Sequence, residues 1–304
     1  MYRVTEHAKM CNASAAVAVD GDLFVVADDE DSTLRLYRVE QGGAPLSETP
    51  IPDDILDLDP DEDPEVDIEG AAQVGDRVYW IGSHSASKKG KERPNRRRLF
   101  ATRLHVEREQ LTIEPVGLPY KHLIRDLDAD NRYASLHLKD AAKKQPKVEG
   151  ALSIEGLAST PDDELLIGFR NPIIEGKALV ARLKNPHEVV AGRPAEFGKP
   201  IKLDLGHLGI RSMERRGEDY TIVAGRHDGG QDFKLYRWAG GPEQTPQVIP
   251  GIDLADLNPE ALFFDAIGAY LLSDDGKQLI QGTNCEDLPR PQRRFRGVRL
   301  SPLP

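Results

Sequence analysis

DIEGAAQVGDRVYWIGSHS, Asp67 to Ser85, reads as a short apolar strand opened by Glu-Gly, a Gly-Asp turn, an aromatic-rich second strand and an abrupt polar exit. This is the signature of a β-hairpin. Four further segments share it: NASAAVAVDGDLFVVADDED (Asn12 to Asp31), SIEGLASTPDDELLIGFRNP (Ser153 to Pro172), SMERRGEDYTIVAGRHD (Ser212 to Asp228) and NPEALFFDAIGAYLLSDDG (Asn258 to Gly276). The residues at the place of Glu69 are Ser14, Glu155, Glu214 and Glu260. From each marked residue to the polar exit the counts are 14, 14, 14, 12 and 14 in chain order.

A third strand follows each hairpin, and each carries an Arg before an apolar residue: Arg38, Arg103, Arg182, Arg237 and Arg299. A fourth, edge strand follows at Leu46 to Ile51, Leu111 to Leu118, Lys199 to Leu205 and Thr245 to Pro250. Four-stranded units repeated in this way predict an all-β fold, a five-bladed β-propeller. The fifth unit holds only three strands, while YRVTEH (Tyr2 to His7) is a strand without a blade. Pairing the two removes an open sheet edge, so the N-terminal strand is expected to close the ring. Six blades is the alternative, because Glu69 and Glu155 are 86 residues apart where the other gaps are 46 to 59. The extra sequence, about 119–150, has helix-like spacing of Leu and Ile and reads as an insertion into a single domain, 1–304.

Hydrophobic residues make up 39% and charged residues 30% of 304, with 27 Gly and 22 Pro, which suits a turn-rich fold. No apolar run approaches the ~18 residues that a membrane helix requires. The first ten residues, MYRVTEHAKM, lack the apolar stretch of a secretory signal. Two cysteines, Cys11 and Cys285, make no disulfide framework and are expected as packed, reduced thiols, hence a cytoplasmic protein. The net charge of −11 argues against nucleic-acid binding, which demands a broad basic surface. The acidic run DDILDLDPDEDPEVD (Asp53 to Asp67) and the basic run KKGKERPNRRR (Lys88 to Arg98) read as solvated loops, the second able to hold a small anion. Oligomeric state is not written in the sequence.

The innermost strand of a blade lines the central channel. The repeat therefore aims Ser14, Glu69, Glu155, Glu214 and Glu260 at the axis. Carboxylates ~5 Å apart repel by about 3 kcal/mol per pair at an effective dielectric near 20. A hard cation relieves this, and Ca²⁺, taking six to eight oxygen ligands in flexible geometry, suits four carboxylates and a hydroxyl better than Mg²⁺ or Zn²⁺. The alternative is that the glutamates pair with Arg211 or Arg215. The exit loops bring Asp28 and Asp29; Ser83, His84 and Ser85; Arg170 and Asn171; Arg226, His227 and Asp228; and Asp274 and Asp275 to one mouth, joined by Arg96 of the basic loop. Ser83, Arg96, Arg170, Asn171 and Arg226 are candidates for holding an anion, and His84, His227, Asp28 and Asp274 for proton transfer. Walker, GxSxG, HExxH and CxxC motifs are absent from the sequence.

The combination DIEGAA, YWIGSHS, RPNRRRLFA, IEGLA, GFRNP, LDLGHLGIRSMER and LLSDDG resembles, over nearly the whole chain, an uncharacterised bacterial family known only as a domain of unknown function. More distantly, a five-fold ring of Ser and Glu is similar to that of the calcium-activated nucleotidases (soluble apyrases), five-bladed propellers with an axial Ca²⁺. Phytase-like and lactonase propellers also carry axial acids and metals. The likeness to the nucleotidases maps only onto Ser14, Glu69, Glu155, Glu214 and Glu260, and by role. Those enzymes place Ser in more than one blade and are typically secreted, whereas this chain has four Glu.

These readings lead to a metal-dependent hydrolase of a small anionic substrate, a phosphate ester or anhydride, with Ca²⁺ as cofactor. The alternative is a non-catalytic binding propeller stapled by the cation. Glycoside hydrolysis by Asp28 and Asp274 ranks last, since few aromatics mark a sugar platform.

Overall fold

The turn between the first two strands of the second blade closes around Gly75, whose φ of +60° a side chain would strain, so that Val74 faces Arg77 across the hairpin. The computed structural model describes residues 3–300. Its strands are β1 (Val4–Ala8), β2 (Ala13–Ala18), β3 (Leu23–Asp28), β4 (Thr33–Arg38), β5 (Ser47–Pro50), β6 (Ile68–Val74), β7 (Arg77–Gly82), β8 (Leu99–Glu107) and β9 (Gln110–Tyr120) in the first two blades. The next two blades hold β10 (Ser153–Ser159), β11 (Leu165–Ile174), β12 (Lys177–Leu183), β13 (Ile201–Leu203), β14 (Gly209–Arg216), β15 (Asp219–Gly225), β16 (Phe233–Trp238) and β17 (Gln247–Val248). The last has β18 (Pro259–Phe264) and β19 (Ala269–Ser273), a small hairpin of β20 (Leu279–Ile280) and β21 (Thr283–Asn284), and β22 (Arg294–Leu300).

Five four-stranded antiparallel sheets result. Four are consecutive in sequence, while the fifth runs β1-β22-β19-β18, with Val4 opposite Val298 and His7 opposite Phe295. The ring is closed by the N-terminal strand, as expected, although Tyr2 lies outside the described residues. The six-bladed alternative is not realised. The extra sequence folds as α2 (Leu123–Ala129) and α3 (Leu138–Ala141) after a short α1 (Asp53–Leu56) earlier in the chain. Leu123, Leu127, Tyr133 and Leu138 of this insertion are buried in one cluster with Tyr79, Phe169 and Leu179, so it packs across blades two and three.

Blade faces are covered on both sides, which is why strands such as LFVVAD are buried along their whole length instead of alternating. The core accordingly splits into five clusters, each lying between neighbouring blades. At the closure, His7 is fully buried against the rings of Phe24, Tyr37, Tyr270 and Phe295. Burial lowers its pKa to about 4.

Two expectations are corrected. Cys11 and Cys285 are not thiols; they form a disulfide that ties the segment after β1 to the last blade. Disulfides belong chiefly to oxidising compartments, which removes one ground for a cytoplasmic location. No helix among the described residues is long and apolar enough to cross a membrane. The acidic and basic runs are not separate solvated loops either. Arg93 lies 3.1 Å from Asp63, Arg96 binds both carboxylate oxygens of Glu65 at 2.9 Å, and Asn95 donates to the carbonyls of Asp59 and Asp63. Opposite charge folds one run onto the other at the rim of the channel.

Candidate functional site

In the first strand of every blade one residue is skipped by the pairing register: Ser14, Glu69, Glu155, Arg211 and Glu260. Such bulges re-aim a side chain. In blades two and three the residue after the bulge must be small, since a Cβ on Gly70 would lie 2.9 Å from Leu157 Cβ, and one on Gly156 would lie 2.6 Å from Ile210 Cγ2. This accounts for the repeated Ile-Glu-Gly.

Arg211, not Glu214, therefore completes the ring. Glu214 sits three residues farther along β14, opposite Thr221, where its carboxylate accepts the Arg215 N–H at 3.2 Å and burial raises its pKa to about 8. Arg211 Nε lies 3.2 Å from Glu155 Oε2, and its Nη2 contacts Glu260. Arg170 Nη1 donates to Glu155 at 2.6 Å. Ser14 is also no free ligand: its hydroxyl donates to the Ile68 carbonyl at 2.5 Å and joins blades one and two. Glu155 and Glu260 are thus satisfied by arginine, the alternative weighed for the expected four-carboxylate ring.

Negative charge collects instead to one side of the axis. Ligand oxygens of Asp29, Asp67 and Glu69 all lie within 4.8 Å of one another. Burial raises the pKa of each; Glu155 and Asp67 add to the rise at Glu69, and Asp274 and Asp28 to that at Asp29. Asp67 reaches about 6, restrained by Arg96 at 2.9 Å and by a hydrogen bond from Ser83. Asp29 Oδ1 is buried without a hydrogen-bond partner. Asp274 accepts the Asn258 amide at 3.0 Å and the Gly276 N–H at 2.8 Å, and burial raises its pKa too. Opposite this acidic half stand Arg170, Arg211 and Lys147 of the insertion. The mouth between them is a cavity of about 1640 Å³.

Of the nine candidates for anion holding and proton transfer, Ser83, Arg96, Arg170 and Asp274 line this cavity, together with Asp29, Ser85 and Asp275 of the exit loops and Glu69, Glu155 and Glu260 of the ring. Five do not. His84 takes a left-handed backbone, φ +55°, that turns its ring into the interior, where Nδ1 donates to the Gly82 carbonyl at 2.8 Å and burial lowers its pKa to about 4. Asp28 is buried beside Arg35, 3.9 Å away, with a pKa raised by burial to about 7; its neighbour Asp29 faces the cavity. Asn171 is buried and donates to the carbonyls of Pro146 and Val148. Arg226 is exposed and pairs with Asp228, and His227 lies in the same outer loop.

A five-bladed β-propeller with a charge-divided axial mouth is the class of protein that this fold and site define. The chain belongs to the family described as "Protein of unknown function (DUF3616)", which matches residues 12–113 and 117–258. No curated protein matches it. Among solved structures it is similar to the glutaminyl cyclase of Myxococcus xanthus, at 12% identity over 98% of this chain and 94% of that one, with a TM-score of 0.50. It is also similar to a putative oxidoreductase (glucose dehydrogenase) of Thermus thermophilus, at 14% identity over 98% and 99%, with a TM-score of 0.49. At such identities the likeness is one of fold. The first of these is an enzyme by name.

Proposed function

We propose that the protein is a metal-dependent hydrolase that holds Ca²⁺ between Asp29, Asp67 and Glu69 and acts on a small anionic substrate, a phosphate ester or anhydride. The single observation behind this reading is the convergence of those three carboxylates, Asp67 buried and Asp29 and Glu69 half-buried, beside a cationic wall. Three mutually repelling acids whose pKa values are all raised call for a compensating positive charge, and oxygen-only ligands favour a hard cation. Such an ion supplies Lewis acidity to a bound oxygen or to water. Arg170, at the edge of the same cavity, then helps to orient the anion, and Asp274 carries the proton.

A second reading, a binding propeller with a structural cation, is favoured by the burial of His84 and the outward position of His227, which leave the mouth without the expected imidazoles. Metal analysis, calcium titration of wild type and Glu69→Gln, and a phosphatase and nucleotidase screen separate the readings. Calcium binding lost in the variant together with turnover supports the hydrolase. Calcium binding without turnover supports the binding protein, and no metal binding in wild type defeats both.

A further inference from the structure

Three cations of the mouth, Lys88, Lys89 and Lys147, form no ion pair among the described residues, whereas Arg93, Arg96, Arg170 and Arg211 are all engaged with carboxylates. Lys147 is placed with particular care. Asn171, buried on β11 next to Arg170, uses its one amide nitrogen to hold the carbonyls on both sides of it, Pro146 at 3.0 Å and Val148 at 2.8 Å. Across the mouth, Gly229 leaves the ammonium its space: a Cβ there would lie 3.0 Å from Lys147 Nζ. The insertion thus delivers one ammonium over the cavity to the loop of blade four.

We infer that Lys147, with Lys88 and the flank of Arg170, is an oxyanion-binding subsite facing the acidic half of the mouth, taking the phosphate or carboxylate group of the ligand. Of these cations only Arg170 has a carboxylate partner, Glu155. Lys147 is exposed, yet partial desolvation at the mouth, then Arg170, Arg211 and Lys88, lower its pKa, and Glu155 only partly offsets this. A bound oxyanion removes that repulsion and gains charge-assisted hydrogen bonds. Asn171 is a positioning residue in this arrangement, which gives the insertion a part in ligand choice. The inference deepens the hydrolase reading by naming the contact for the substrate's anionic group, yet it needs no metal, and its test is built on that difference.

The experiment is calorimetric titration of inorganic phosphate, and separately of succinate, into the full chain with EDTA present. Wild type, Lys147→Gln, Lys88→Gln and Lys234→Gln, an exposed lysine outside the cavity, are compared after each is shown to melt cooperatively. Loss of one charged contact should weaken the anion about tenfold in Lys147→Gln, with a smaller effect in Lys88→Gln and none in Lys234→Gln. Preference for phosphate over succinate assigns the group as a phosphate, and the reverse as a carboxylate. Equal affinity in wild type and Lys147→Gln, or no binding of either anion to wild type, overturns the subsite. A calcium titration on the same proteins reads the metal independently: anion binding in EDTA with no calcium binding keeps the subsite and discards the metal-dependent reading.

Discussion

Arg299 grips Asp265 through two parallel bonds, Nη1 to Oδ1 and Nη2 to Oδ2, each 2.7 Å long. Every third strand repeats the device on an acid in or beside the turn between the first two strands: Arg38 on Asp22, Arg103 on Asp76, Arg182 on Glu164 and Arg237 on Asp219. The arginines that mark the repeat in sequence thus pin each inner hairpin to the strand outside it.

Exposure decides what each pin contributes. Arg299 and Asp265 side chains are 10% and 5% exposed, whereas Arg103 and Asp76 are 31% and 67% exposed. Arg299→Met should lower stability by about 2–3 kcal/mol by stranding a buried carboxylate, and Arg103→Met should be silent within error. Urea denaturation of both variants checks this, and equal losses would show that burial is not the controlling variable.

The Cys11–Cys285 bond links residues 274 apart in sequence. Restricting so large a loop in the unfolded chain should contribute about 2–5 kcal/mol. The double Cys→Ser variant, or wild type unfolded in a reducing agent, should melt at lower temperature. Identical melts with and without reductant would show that β1–β22 pairing alone secures the closure.

Glu214 gives the protein a pH dependence of known sign. Its pKa rises from about 4.5 unfolded to about 8 folded, so between these values the unfolded chain has released a proton that the folded one keeps. Stability falls across that window as pH rises and is level above it. Glu214→Gln should gain on wild type by a few kcal/mol between pH 5 and 8, then hold constant. Parallel denaturation curves at pH 5, 7 and 9 measure the gain; a constant difference from pH 5 upward contradicts a half-buried Glu214 held neutral.

His7 works in the opposite direction. Folded, its pKa is about 4 against about 6.5 unfolded, so stability is lost as pH falls through that interval. His7→Phe keeps an aromatic ring in the cage and removes the titration. It should resist acid better than wild type below pH 6, as read by thermal melts at pH 4.5 and 7.

Arg211 balances Glu155 and Glu260 at the axis. Arg211→Gln should destabilise by about 3 kcal/mol in EDTA, since removing one partner leaves buried charge uncompensated. It should also raise calcium affinity by returning the axis to negative charge. Loss of stability without a gain in calcium affinity would place the freed carboxylates out of reach of an ion.

Much of this is legible in the sequence because hairpins announce themselves through turns and apolar runs, and because the stray strand at Tyr2 to His7 has one blade in need of it. The ring misleads at one position. Glu214 draws the eye by its carboxylate, although its 12-residue interval breaks the 14-residue spacing that Arg211 keeps with Gly225, and although Ile210-Arg211-Ser212 parallels Ile68-Glu69-Gly70. His84 escapes because a left-handed residue reverses the side expected of an exit loop. Asn171 escapes because its partners belong to the insertion, and the disulfide because only closure of the ring brings Cys11 to Cys285.

The solitary arginine among the five bulge positions has a further consequence. A ring presenting five alike groups would accept a ligand in five equivalent rotations about the axis. With Arg211 in one place and Asp29, Asp67 and Glu69 gathered in another, rotation is no longer free. A group carrying both signs of charge would meet the axis in one heading only, because its positive and negative ends face unlike walls.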